Sequence, residues 1–110
     1  MPAPDLARIA AELSAEISPY EPFDLGIVWA VKVLRDAGVE TFESCEGGPG
    51  HSYREPTVAF HGPPSEGFRA YAVAIQYRLP IYDLRRVWCV QDGELTGPRW
   101  EMTFRGPVTC

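Results

Sequence analysis

Lysine is nearly missing from this chain: Lys32 stands alone beside nine arginines. Acidic residues outnumber basic ones, 15 to 10, for a net charge of −5. That balance argues against broad nucleic-acid binding, which needs a basic footprint. Cysteine is scarce as well. Cys45, Cys89 and Cys110 are odd in number, widely spaced and without a Cys-x-x-Cys pair. No disulfide framework or closed structural zinc site fits that pattern. No apolar run approaches the ~18–20 residues of a membrane span. No charged-then-apolar leader opens the chain, and acidic residues are scattered from Met1 to Tyr20 instead. The expectation is a cytoplasmic protein with reduced thiols and no membrane contact.

What is present describes an ordinary globular chain. The 110 residues read as a single domain, 1–110, large enough for one core of two packed layers. Hydrophobic residues make up 45% and charged residues 23%, which speaks against disorder throughout. The arginines suit bidentate recognition of carboxylate or phosphate. Genomic base composition favours arginine as well, and no cluster is dense enough to form a patch by itself. There is no internal repeat, low-complexity tract or linker.

Leu6, Ile9, Ala10, Leu13 and Ile17 fall at helical spacing, and Ser18-Pro19 ends that helix. Pro22 and Asp24 suit a second helix start, and Gly38 a left-handed cap after Ala37. That helix is apolar on most sides, so it is central. Val39–Glu43 reads as a strand, followed by a loop at Cys45, and Pro56–Phe60 as a second strand. A third helix begins at Ser65-Glu66, with Phe68, Tyr71, Ala72, Ile75 and Leu79 on its expected inner face, and Pro80 stops it. Tyr71 and Tyr77 are expected to pack.

The last stretch reads as a hairpin. Leu84, Arg86, Trp88 and Val90 alternate along one strand, and Trp100, Met102 and Phe104 along the other. Asp92-Gly93 signals a tight turn, which sets Val90 opposite Leu95 and Arg85 opposite Trp100. The large apolar residues then face opposite sides. A longer loop from Asp92 to Pro98, or a bulge at Gly97-Pro98, repairs the register. The expected pairs are Val90 with Trp100 and Trp88 with Met102. The fold class is therefore α+β, order ααββαββ, with three helices on one face of a mostly antiparallel four-stranded sheet. Residues 106–110 read as a loose tail.

The chemistry-bearing candidate is the loop Glu43-Ser44-Cys45-Glu46-Gly47-Gly48-Pro49-Gly50-His51. Its glycines allow unusual turns, and consecutive amides can cradle an anion. No Gly-Lys-Ser/Thr is present and a strand follows, so neither a Walker loop nor a dinucleotide fingerprint fits. Ser44, Cys45, Glu46, Gly47, Gly48, Gly50 and His51 form the candidate ligand-binding set. A cysteine near a histidine can also form a thiolate–imidazolium pair. Cys45 and His51 are the candidate catalytic pair, with Glu43 or Glu46 to orient the imidazole. His61 ends the second strand, away from Cys45. Cys45, His51 and Glu46 supply only three metal-type ligands, so no metal and no cofactor is assigned. A loop of this composition also serves simply to turn the chain between two strands.

A second candidate surface is the far face of the hairpin, with Arg85, Val87, Cys89, Glu101, Thr103 and Arg105. Arg85, Val87, Thr103 and Arg105 mark it as a partner surface, compatible with a homodimer. A solvated sheet face accounts for the same pattern.

The run Gly38–Gly47 contains Thr41-Phe42-Glu43-Ser44-Cys45-Glu46-Gly47. It resembles the Thr-x-x-Ser-Cys-x-Gly segment of small bacterial and phage proteins of unknown function. Pro56–Gly62, Glu66–Ala70 and Arg86-Val87-Trp88 look like the same group, which implies no transferable activity. Glu43–Gly47 is also similar, at Ser, Cys and Gly only, to a loop of the wybutosine-synthesis proteins, and no activity is carried over. The functional expectation is a small soluble binding module of phage type. It engages a protein partner or a small anionic ligand through the Cys45–His51 loop and the adjoining sheet, as an inhibitor of a host system. The alternative is a small enzyme with Cys45 as nucleophile and His51 as base.

Overall fold

Seven elements follow one another in the expected order in the computed structural model, which describes residues 5–17, 27–50, 53–106 and 108. They are α1 (Leu6–Ile17), α2 (Val28–Asp36), β1 (Thr41–Cys45), β2 (Thr57–Phe60), α3 (Pro64–Gln76), β3 (Ile81–Gln91) and β4 (Glu94–Phe104). The strands form one antiparallel sheet in the order β1-β2-β4-β3. The architecture is thus α+β, with α2 on the β1 side of the sheet, α3 on the β3 side, and α1 packed on α2. The expected start of the second helix at Pro22 and Asp24 lies outside the described residues.

Local chemistry sets the helix ends. Asp5 accepts the Arg8 amide at 3.1 Å and so satisfies one open donor of the first turn of α1. After α2, Gly38 takes φ +88°. Its amide bonds to Arg35 O, and that of Val39 to Leu34 O, both at 2.9 Å. This is the left-handed stop anticipated for that glycine. Arg69 of α3 donates to Ala37 O and Gly38 O at 3.0 Å, tying the end of α2 to α3.

Val58, Phe60, Met102 and Phe104 line the helix-covered face of the sheet and are fully buried. Ile27, Val28, Val31 and Leu34 meet them from the helix side. Val108, in the segment expected to be a loose tail, is fully buried in the same core.

α3 corrects one expectation. Its buried positions are Gly67, Ala70 and Ala74. Phe68, Tyr71 and Ile75 are 76%, 49% and 50% exposed, and Tyr77 is exposed too. Leu79 is buried, but beyond the helix. Both sets of residues recur at helical spacing, so periodicity cannot choose between them. Close approach to the sheet chooses the small set. A Cβ on Gly67 would stand 2.6 Å from the Trp100 ring, leaving no room for large residues beneath the helix.

The hairpin takes the bulge route. Asp92 and Gly93 have φ +51° and +80°, and Val90 pairs with Leu95 across the tight turn. The register then shifts between Val87 and Cys89, where Gly97-Pro98 stands opposite Trp88. The resulting pairs are Arg86 with Trp100 and Leu84 with Met102. They replace the expected pairs Val90–Trp100 and Trp88–Met102, because a one-residue bulge moves the register less than a long loop does. The strands are correspondingly longer than anticipated. β2 pairs with β4 from Trp100 to Thr103, so among the described residues the outer halves of β3 and β4 pair only with each other, as a two-stranded arm. Trp88, expected to pair with Met102, lies on that arm instead and is 56% exposed.

Candidate functional site

Cys45 is not a loop residue. It ends β1, pairs with Thr57 and is 6% exposed. Its sulfur accepts the Gly47 amide at 3.4 Å. The Gly48 amide bonds to Arg54 O at 3.0 Å. Those two amides therefore point into the loop. Ser44 and Glu46 are half-buried, while Pro49 and Gly50 are exposed. His51 and Ser52 lie outside the described residues, and with them the geometry of the Cys45–His51 pair. His61 sits at the far end of the β1–β2 pair, as expected. There its amide bonds to Glu40 O, and its ring stacks on Phe42 at 4.1 Å between centroids.

The glycine content of the loop has a steric cause at one position. Gly47 has φ +82°, and a Cβ there would stand 2.6 Å from the backbone of Glu55 and Pro56. The two limbs of the connection are thus pressed together at Gly47. Gly50 has φ +81° but open space around it.

The returning limb carries a side chain that the sequence did not single out. Tyr53 reaches back over the face of the sheet opposite the helices. Its hydroxyl donates to Glu101 Oε2 at 3.2 Å. Arg99 Nη2 donates to the same oxygen at 2.7 Å and lies 3.4 Å from the Tyr53 hydroxyl. Arg99 and Glu101 are two apart on β4, so both point to this face. The Arg99 guanidinium also stands 6.0 Å from the Phe42 ring centroid. A continuous row therefore crosses the sheet: His61, Phe42, Arg99, Glu101, Tyr53. Alternation along β4 was the available signal for the Arg99–Glu101 pair. Nothing in the sequence announced that Tyr53 would join it.

Electrostatics make this row a clamp. Burial, then the nearby Glu101 and Glu43 carboxylates, push the Tyr53 phenol up to about 12. It stays a neutral donor at ordinary pH. Burial works against the charge on Arg99, but the hydrogen bond to Glu101 and the neighbouring Tyr53, Cys89 and Glu101 outweigh it. The arginine pKa is held above its usual value.

The expected partner face is divided by this arrangement. Thr103 is 2% exposed and Glu101 7%, so neither offers a surface. Both stand on the central strand β4, and Tyr53 reaches Glu101 from the loop, which the simple in/out alternation of a two-layer fold does not foresee. Arg85 is exposed and bridges to Asp83 at 3.1 Å, Val87 and Cys89 are half-buried, and Arg105 is exposed beyond β4.

Three large exposed apolar groups lie on the hairpin arm. Trp88, Val90 and Leu95 are 56%, 68% and 66% exposed. Their register puts them on one face of the arm, the face continuous with the helix-covered side of the sheet. Phe68, Tyr71 and Ile75 of α3 are exposed as well. Between α2 and α3 lies a recess of about 170 Å³, lined by Trp29, Lys32, Val33, Val73 and Tyr77 among others. It is smaller than the ~300–1,000 Å³ typical of a drug-sized ligand site. Among the described residues no three His, Cys, Asp or Glu side chains gather as a metal site. Nor is any described helix long and apolar enough to cross a membrane. Compared with known protein families, curated proteins and solved structures, the chain matches none.

Proposed function

We propose that this chain is a protein-binding module that meets its partner through the apolar surface of the β3–β4 arm and α3. One observation carries the reading. Trp88, Val90 and Leu95 share one face of an arm that no helix covers among the described residues, and each is more than half exposed. Contiguous exposed apolar groups on a small domain mark interaction surfaces, and tryptophan and tyrosine are enriched there. The fold gains little from these side chains where they stand. A partner that covered them would remove their apolar area from water, a contribution of roughly 25 cal/mol per Å² before the costs of association.

The loop at Cys45 fits this reading as a structural connection at the end of the sheet away from the arm, since Gly47 is needed to close it and Tyr53 ties it down. The test is crosslinking in cells, from a photoreactive residue at position 91 at the arm tip. The native chain is expected to capture defined proteins. Substituting Trp88→Ser, Val90→Thr and Leu95→Thr together should abolish that capture. Arg8→Ala, on the exposed face of α1, should leave it unchanged. Equal capture by the arm variant would remove the arm from the proposal.

A further inference from the structure

β3 is an edge strand of eleven residues, and among the described residues nothing pairs with its outer side. The helix above it presents a matching wall. Val73, Gln76 and Tyr77 border the recess against α2, which fixes the flank of α3 that faces α2. At about 100° per residue, Phe68, Tyr71 and Ile75 fall on the opposite flank. α2 lies on the β1 side and α3 on the β3 side, so that opposite flank overlooks the β3 edge. An open strand edge and an exposed apolar helix flank thus form two sides of one groove. Arg86 stands within it. It is exposed, pairs with Trp100 on the helix-facing side of the sheet, and holds its guanidinium 5.3 Å from the Trp100 ring centroid.

We propose that the β3 edge takes up an extended peptide segment of a partner protein, with an acidic residue near its centre, as an added strand beneath Phe68, Tyr71 and Ile75. This rests on the protein-binding reading above and names the form of the partner. Strand addition draws affinity from main-chain hydrogen bonds and specificity from alternate side chains. Those on the helix side would meet the α3 stripe, and the acid would meet Arg86. Charge decides against a second copy of this chain as the occupant. Full antiparallel overlap of two β3 strands about a two-fold axis centres on residue 86. It would set Arg86 opposite Arg86, and like charges directly opposite destabilise a strand pair.

The experiment selects binders from a displayed library of random peptides of roughly nine residues, the length of an added strand. Enriched sequences should carry apolar residues at alternate positions around a central Asp or Glu. N-methylation of alternate amides in a selected peptide should weaken binding at least roughly tenfold, because it removes ladder donors. Arg86→Glu should turn the central preference from acidic to basic. Helically spaced anchors, indifference to N-methylation, or the absence of any enriched peptide would overturn strand addition. So would a dimer of the chain alone by sedimentation that Arg86→Glu leaves intact. If the arm variant still loses its crosslinked partner in any of those cases, protein binding stands and only the peptide form falls.

Discussion

Gly67 lies against the flat of Trp100, so close that a Cβ there would come within 2.6 Å of the indole. The indole is not free to move aside. Its Nε1 donates to Gly62 O at 3.2 Å and to Pro63 O at 3.3 Å, just before α3 begins. Gly67→Ala should therefore destabilise the fold, although alanine favours a helix by about 1 kcal/mol over glycine. Overpacking typically costs about 1–3 kcal/mol, so a net loss of up to about 2 kcal/mol is expected in urea unfolding. In a Trp100→Phe background the smaller, unanchored ring should shrink that loss. A stabilising Gly67→Ala would mean that α3 does not sit this close to the sheet.

That contact also explains what the sequence could and could not reveal. Element order, the Gly38 stop and the Asp92-Gly93 turn were legible because each rests on local backbone chemistry. The bulge at Gly97-Pro98 was legible too, since the two apolar alternations disagreed by one residue. The inner face of α3 was not. Two apolar stripes compete on that helix, and only its distance from Trp100 decides between them. The burial of Glu101 was hidden for a similar reason. It depends on Tyr53 folding back from a loop, a contact across 48 residues of sequence.

Within the glycine-rich loop, substitutions should separate sharply. Gly47→Ala combines a left-handed backbone with a clash against Glu55 and Pro56 at 2.6 Å. Main chain cannot swing away as a side-chain end can, so a loss of about 2–4 kcal/mol is expected in chemical denaturation. Gly50→Ala has the same sign of φ but nothing within 4 Å, and should cost only about 1 kcal/mol. Equal effects at the two positions would contradict the tight apposition of the loop's limbs.

The Tyr53 clamp predicts a pH dependence of definite sign. Its folded pKa, about 12, lies above the ordinary value of 10.0. The folded state therefore holds the phenolic proton more tightly than the unfolded one. The resulting stability is fully present below pH 10 and is lost as pH rises through 12. Absorbance at 295 nm should show a tyrosine step near pH 12 that Tyr53→Phe removes. At neutral pH the same substitution should cost about 1 kcal/mol, through the hydrogen bond to Glu101. A titration curve unchanged by Tyr53→Phe would show that the clamp is not formed.

The two described thiols offer the sharpest test of what the loop does. Cys89 is half-buried on the arm, whereas Cys45 is 6% exposed and its sulfur takes the Gly47 amide. A thiol enclosed in this way reacts only when the chain around it opens, and the Tyr53 clamp and the tight turn at Gly47 both oppose that opening. Alkylation of the native protein, read site by site by mass spectrometry, should modify Cys89 at least roughly tenfold faster than Cys45. Gly47→Ala should erase much of the difference by loosening the loop, while Arg8→Ala should not. The opposite result carries equal information. Rapid alkylation of Cys45, with a midpoint well below the ordinary thiol value of about 8.5 and lost in His51→Ala, would reveal a thiolate–imidazolium pair. The loop would then be the working part of the molecule, and the arm its accessory.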